Sequence, residues 1–138
     1  MSIIQKDIQT KLTKGLIDLI ILQLLDSHPM HGYEVITTIR KSFGVYFGAS
    51  TIYPILNTME KKKYIKSEWN MDTERPRKVY RLTNDGQATL HYTADSLNII
   101  CRTIGTDNTQ AQSAIKQTQF NVIQRPEKKE YYTSVSNS

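Results

Sequence analysis

Cysteine is almost absent: Cys101 stands alone among 138 residues. No intrachain disulfide can form and a cysteine-based metal cluster lacks its ligands, a usage that fits a reducing cytoplasm. Long apolar runs are missing as well. The stretch from Leu16 to Leu25 is broken by Asp18 and Gln23 and is too short for a membrane span, and Met1 to Asp7 lacks the charged and apolar regions of a secretory leader. There is no glycine-rich phosphate loop, no His-Glu-x-x-His pattern and no carboxylate pair spaced for acid–base work, so an enzyme is not expected. His28, His31, His91 and Cys101 do not make a ligand pattern on one helix. Neither a metal nor a cofactor is expected. No internal repeat is visible, and the length suits one domain of about 100 to 150 residues with an appendage.

What the chain does carry is unevenly placed charge. The net charge is +5 and the pI about 9.3. Residues 61–81 hold Lys61, Lys62, Lys63, Lys66, Arg75, Arg77, Lys78 and Arg81 against Glu68, Asp72 and Glu74. That segment alone accounts for the whole excess, and the remainder is neutral. A basic run is often only a solvated face; its position is what makes this one informative.

That position follows a helix. At about 100° per residue, Ile52, Ile55, Leu56 and Met59 form one apolar stripe, with Pro54, Asn57, Thr58 and Lys61 opposite. Ser50 is a good N-cap, Pro54 falls near the first turn, and the helix is predicted to run to about Lys63. Two helices precede it. Lys14 to Asp26 is apolar on most sides, with Thr13 placed to cap it and Ser27-His28-Pro29 to break it. The next starts near His31 or Gly32, with Glu34 placed as in a capping box, and continues through Val35, Ile36, Ile39 and Phe43 until Gly44 stops it. After the third helix, Tyr64 to Asn70 and Arg77 to Leu82 alternate as strands around polar turn residues, a β-hairpin in which Trp69 could anchor packing.

Thr83-Asn84-Asp85-Gly86 signals a further helix start. Leu90, Ala94, Leu97, Cys101 and Ile104 then recur at steps of four and three, a heptad seam too short to be stable alone. Packing on a second copy of the chain is the economical expectation. Beyond Gly105 the composition turns to Thr, Gln, Asn and Ser, with a marginal helix near 110–124 and disorder from Arg125.

The linked motifs Lys14-Gly15-Leu16, Pro29-Met30-His31-Gly32-Tyr33-Glu34, Thr51-Ile52-Tyr53-Pro54-Ile55-Leu56, Met59-Glu60-Lys61-Lys62-Lys63-Tyr64-Ile65 and Arg77-Lys78-Val79-Tyr80-Arg81-Leu82-Thr83-Asn84-Asp85-Gly86 resemble those of PadR-type winged-helix transcriptional regulators. Order and spacing agree over roughly residues 12–104. The resemblance implies a mainly α fold with a small β-hairpin: a winged helix-turn-helix over 1–83, a dimerisation helix over 84–104, and a polar tail over 105–138. It further implies a homodimer on an inverted-repeat operator near a promoter, most simply a repressor in the cytoplasm at the nucleoid, sometimes released by a small hydrophobic or phenolic effector. Two departures stand out. Ser50 replaces a frequent glycine, and the dimer helix has no tryptophan to stack planar ligands.

The expected partner is therefore double-stranded DNA. Ser50, Thr51, Tyr53, Asn57, Thr58, Lys61 and Lys62 on the third helix would meet it, Asn57 pairing with an adenine edge and Lys61 reaching a phosphate or guanine. Tyr33 could donate to a phosphate, and Arg75, Arg77 and Lys78 would bring the wing to a minor groove or flanking phosphates. Leu16 and Ile20 join Leu90, Ala94, Leu97, Cys101 and Ile104 in the expected dimer interface. A winged-helix protein-interaction module, or an architectural DNA binder without sequence preference, would share the same fold.

Overall fold

The structure, a computed structural model, describes residues 2–105. The elements are α1 (Ile3–Gly15), α2 (Ile17–Ser27), β1 (Met30–His31), α3 (Gly32–Phe43), α4 (Ala49–Lys61), β2 (Ile65–Asn70), β3 (Arg77–Leu82) and α5 (Asn84–Thr103). The segments expected near 110–124 and from Arg125 lie outside the described residues.

The apolar girth of α2 makes it the axis of the core. Ile21, Leu22 and Leu24 are essentially inaccessible, and the helix packs against α5, β3 and α3. Val35, Ile36 and Ile39 of α3, Ile52, Leu56 and Met59 of α4, Ile65 and Tyr80 of the sheet and Leu90 of α5 complete the cluster. Each such side chain contributes about 1.5 to 3 kcal/mol by leaving water. The α4 stripe is buried as its period predicts, except that Ile55 is only partly covered.

The first helices differ from expectation. A helix that the sequence reading did not anticipate, α1, starts at Ser2 in a capping box with Gln5. The helix expected from Lys14 is divided at Leu16, whose φ of −104° and ψ of 10° leave the helical region. Gly15 just before it weakens helical continuity. Thr13 caps nothing; it is buried inside α1 and donates to the Gln9 carbonyl at 2.6 Å.

Local caps depart in two further places. Glu34 does not close a capping box: its carboxylate lies 3.0 Å from His28 Nε2, while His28 Nδ1 meets Ser27 Oγ at 2.9 Å. His31 occupies the N-cap position of α3 without a side-chain cap bond. The N-cap of α4 is Gly48 rather than Ser50, so Ser50 is already helical and Pro54 falls in the second turn. Gly44 ends α3 as expected, in the left-handed conformation at φ 69°. The far end of α4 is earlier than expected, because Lys63 takes φ 66°.

The hairpin of β2 and β3 pairs Ile65 with Leu82, Ser67 with Tyr80 and Trp69 with Lys78. A third strand was not foreseen: β1 pairs Met30 with Tyr80 and His31 with Val79, giving the order β1-β3-β2. Two residues after Pro29 are too few for an alternation to show. Trp69 anchors nothing, being 63% exposed.

At the base of the wing, Thr83 N donates to the Tyr64 carbonyl at 3.0 Å. The Thr83 hydroxyl accepts from Gly86 N at 3.0 Å and lies 2.6 Å from the Lys63 carbonyl. The first turn of α5 sits so close that a Cβ on Gly86 would fall 1.9 Å from the Tyr64 oxygen. Gly86→Ala is accordingly expected to lower stability by about 2 to 4 kcal/mol in urea titrations. Gly15→Ala, whose new Cβ meets nothing within 4 Å, should instead be neutral or stabilising by up to about 1 kcal/mol.

Burial raises the Tyr80 phenol above its ordinary pKa, with the Glu60 carboxylate and then Tyr53 adding to the shift. The folded state thus favours the neutral phenol. Its contribution is fully present below the unfolded value of about 10 and is lost as pH rises from there toward the folded value. Between pH 9 and 11 the wild type should lose stability faster than Tyr80→Phe in denaturant titrations; parallel losses would show that this phenol is not shifted.

Candidate nucleic-acid interface

The turn of α4 sorts its polar residues onto two sides. Counting about 100° per residue, Ser50, Tyr53 and Lys61 fall within about 40° of Asn57, whereas Thr51, Thr58 and Lys62 are turned by about 100° to 140°. Asn57, Thr58, Lys61 and Lys62 are exposed, and Thr51 is half-buried. Thr58 also donates its hydroxyl to the Pro54 carbonyl at 3.0 Å.

The Asn57 side opens into a cleft of about 840 Å³ between the start of α3, α4 and the wing. Tyr33, Tyr53, Asn57, Arg75, Arg77 and Lys78 all line it. Six expected contact residues from three separate segments therefore share one concavity. Tyr53 packs directly over Gly32: a Cβ on Gly32 would lie 2.6 Å from the Tyr53 ring atoms, so a larger residue there would displace the ring from the start of α3. Tyr53 keeps 37% exposure while packed in this way, and Tyr33 projects with 71%. His31 also lines the cleft, and its buried Nδ1 has no hydrogen-bond partner. Neither α3 nor α4 has a side-chain cap at its N-terminus. Their first amides are thus not satisfied by a capping side chain, and such groups suit anionic oxygens.

The wing side contains a group that the sequence reading missed. Glu60 accepts a hydrogen bond from Ser67 of β2 through Oε2, and its Oε1 lies 3.6 Å from Lys78 Nζ of β3. The ammonium also stands 5.8 Å from the Tyr80 ring centroid. Glu60 and Lys78 are each about one-third exposed, where such a pair contributes up to about 1 kcal/mol. Arg75 and Arg77 are exposed. The one signal in the sequence was a carboxylate immediately before a run of three lysines, one turn from Asn57.

Thr58 and Lys62 line a different groove of about 630 Å³, walled by the start of α2, by α4 and by α5. Leu16, Leu19, Leu22, Ile55 and Met59 give it an apolar floor. The expected dimer residues are divided. Ile20 and Leu90 belong to the buried core, Leu16, Ala94 and Leu97 pack against it, Cys101 is half-buried, and Ile104 is 68% exposed. Tyr92, Ile99 and Ile100 on α5, and Ile3, Ile4, Ile8 and Leu12 on α1, are exposed apolar residues beyond those expected. Among the described residues there is no group of three or more His, Cys, Asp or Glu side chains able to hold a metal ion, and no helix is long and apolar enough to cross a membrane.

Solved structures share this architecture. A PadR family transcriptional regulator from Eggerthella lenta is 26% identical with a TM-score of 0.67, 74% of this chain and 89% of that chain being covered. A structure described as a transcriptional regulator from Thermoplasma acidophilum is 30% identical with a TM-score of 0.61, over 68% and 91% of the two chains. Bacillus subtilis PadR, solved in complex with operator DNA, is 27% identical with a TM-score of 0.51, over 57% of this chain and 47% of that one. No curated protein sequence matches. The profile of the transcriptional regulator PadR-like family matches residues 21–92, more than half of the chain. By sequence and by fold, then, the chain belongs to the PadR-like family of transcriptional regulators and is not an enzyme.

Proposed function

We propose that this regulator binds double-stranded DNA as a homodimer and represses transcription from an inverted-repeat operator. The observation that carries the reading is the cleft in which Asn57 and Tyr53 of α4 meet Arg75 and Arg77 of the wing. A helix entering a major groove with a cationic hairpin beside it needs this arrangement. The operator-bound relative supports DNA as the ligand. In this reading Asn57 and Ser50 face bases, Lys61 and Tyr33 hold phosphates, and Thr51, Thr58 and Lys62 reach the backbone on the flank of α4. Such a protein works at the nucleoid in the cytoplasm.

Dimerisation is supported by the apolar residues that α1 and the outer half of α5 leave uncovered. Exposed apolar surface of this extent marks an interaction site. Residues 1–83 would then be the DNA-binding unit, 84–104 the dimerisation helix, and 105–138 a polar tail. Leu90, Ala94 and Leu97 would set the direction of α5 from within the chain, leaving Cys101 and Ile104 to meet the partner copy. A small hydrophobic effector suits the apolar groove walled by α2, α4 and α5, because its occupant would touch Ile55 and Met59 behind the reading face.

Binding to the chain's own upstream DNA and to a scrambled duplex, followed by fluorescence anisotropy over a range of salt, tests the reading. Asn57→Ala is expected to weaken the upstream site by about ten- to a hundredfold while barely changing the scrambled duplex. Lys61→Ala should weaken both alike and reduce the salt slope by about one. Equal effects from the two changes would exclude base readout by Asn57, and equal tight binding of both duplexes would point to an architectural protein. Sedimentation equilibrium at micromolar concentration should return twice the 15.9 kDa chain mass. Ile104→Glu should shift it toward the single chain and weaken operator binding with it; an unchanged mass would place the interface elsewhere.

A further inference from the structure

Lys78 lies in the expected DNA-facing cleft, yet it does not stand free as Arg75 and Arg77 do. Its ammonium is drawn back toward α4 by Glu60 at 3.6 Å and rests near the Tyr80 ring. Glu60 is itself held from the other strand, since Ser67 donates to its second oxygen. Ser67 pairs with Tyr80, and Lys78 pairs with Trp69, so the carboxylate spans both strands of the wing along the face turned to α4. An acid at this point is costly for a surface that must attract phosphates, because it subtracts one charge and occupies a second.

We propose that Glu60 is a positioning residue that holds the wing against α4 and withholds Lys78 from the DNA backbone, so that the sequence-independent part of binding stays small. This rests on the DNA-binding reading above. Every cation that neutralises a phosphate releases counterions and strengthens binding to any sequence equally. A cation engaged by a carboxylate adds nothing to that general attraction, whereas Asn57 goes on discriminating bases. The partly exposed position of the pair keeps it open to competition, so neutralising Glu60 is enough to release Lys78.

The test uses four full-length proteins: wild type, Glu60→Gln, Lys78→Met and the double variant. Glu60→Gln keeps an oxygen for Ser67 and removes the charge; Lys78→Met keeps the apolar stem over Tyr80. Binding to the scrambled duplex is measured by anisotropy across salt concentrations. Glu60→Gln is expected to raise affinity by about three- to tenfold near 0.1 M salt and to steepen the salt slope by about one. Lys78→Met alone should change affinity less than twofold and leave the slope unaltered, and in the double variant the gain should disappear. If Lys78→Met alone flattens the slope by about one, Lys78 is an ordinary phosphate contact and the proposal fails. It fails too if Glu60→Gln strengthens binding equally with and without Lys78, since Glu60 then acts only by its own charge.

A second readout needs no DNA. Brief acylation of the free protein with an amine-reactive ester, followed by peptide mass spectrometry, should label Lys78 more slowly than Lys61 in the wild type and nearly as fast as Lys61 in Glu60→Gln. Equal labelling in the wild type overturns the proposal even if Glu60→Gln does not fold. Slow Lys78 labelling in a protein that binds neither duplex would instead fault the DNA-binding reading and leave the hold of Glu60 on Lys78 standing.

Discussion

The geometry of the molecule turns on the carbonyl of Tyr64. This oxygen lies just past α4, where the chain enters the wing, and it accepts the amide of Thr83, where the chain leaves the wing for α5. The Thr83 hydroxyl and the bare α-carbon of Gly86 close around it. Three elements with separate tasks, α4, the wing and α5, are thus fixed to one another at a single hydrogen-bonded knot. The knot sets the angle between the proposed DNA-facing surface and α5, the helix proposed to meet a second copy. In a symmetric dimer that angle decides how far apart two reading helices stand, and two successive major grooves tolerate only a spacing of about 34 to 36 Å.

Packing and electrostatics divide the work on α4. Ile52, Leu56 and Met59 anchor it in the core, while the side facing the wing carries its own polar control. The basic excess of residues 61–81 is therefore not simply a sum of free cations. Arg75 and Arg77 project, whereas Lys78 is engaged by Glu60, and formal charge overstates what the surface offers a phosphate. Counting residues along the chain cannot show this, because β2 and the turn of the wing separate Glu60 from Lys78.

Much of the architecture was legible in the sequence, and for identifiable reasons. The stripe on α4, the stop at Gly44, the cap at Thr83 and the alternation of β2 and β3 are local signals that the core then reinforces. Those that failed were settled by tertiary contacts. Ser50 is a good cap by composition, yet the N-cap of α4 lies two residues earlier, at Gly48. Glu34 had the spacing of a capping box, but His28 was near enough in space to take its carboxylate. The helix α1 was not expected although Ser2 and Gln5 form a capping box and Ile4, Ile8 and Leu12 recur at helical spacing; among the described residues these three stay exposed, so no core contact marks the helix. Of the candidate site, residue chemistry nominated Asn57, Tyr53 and the wing arginines, which line one cleft, but the packing of Tyr53 on Gly32 and the engagement of Lys78 by Glu60 required three-dimensional proximity.

Lys63 closes α4 in the left-handed region, at φ 66°. A glycine would make that bend without steric cost, whereas a lysine strains the backbone by about 1 to 2 kcal/mol. It places a third consecutive cation just past the carbonyl end of the helix, the end that would otherwise be electrically negative. The opposite end presents amides with no side-chain cap. A helix is ordinarily a dipole, attractive to an anion at one end and repellent at the other; α4 is positive at both. A polyanion can therefore approach either end of it, and the one acid near its last turn, Glu60, is already engaged by Lys78.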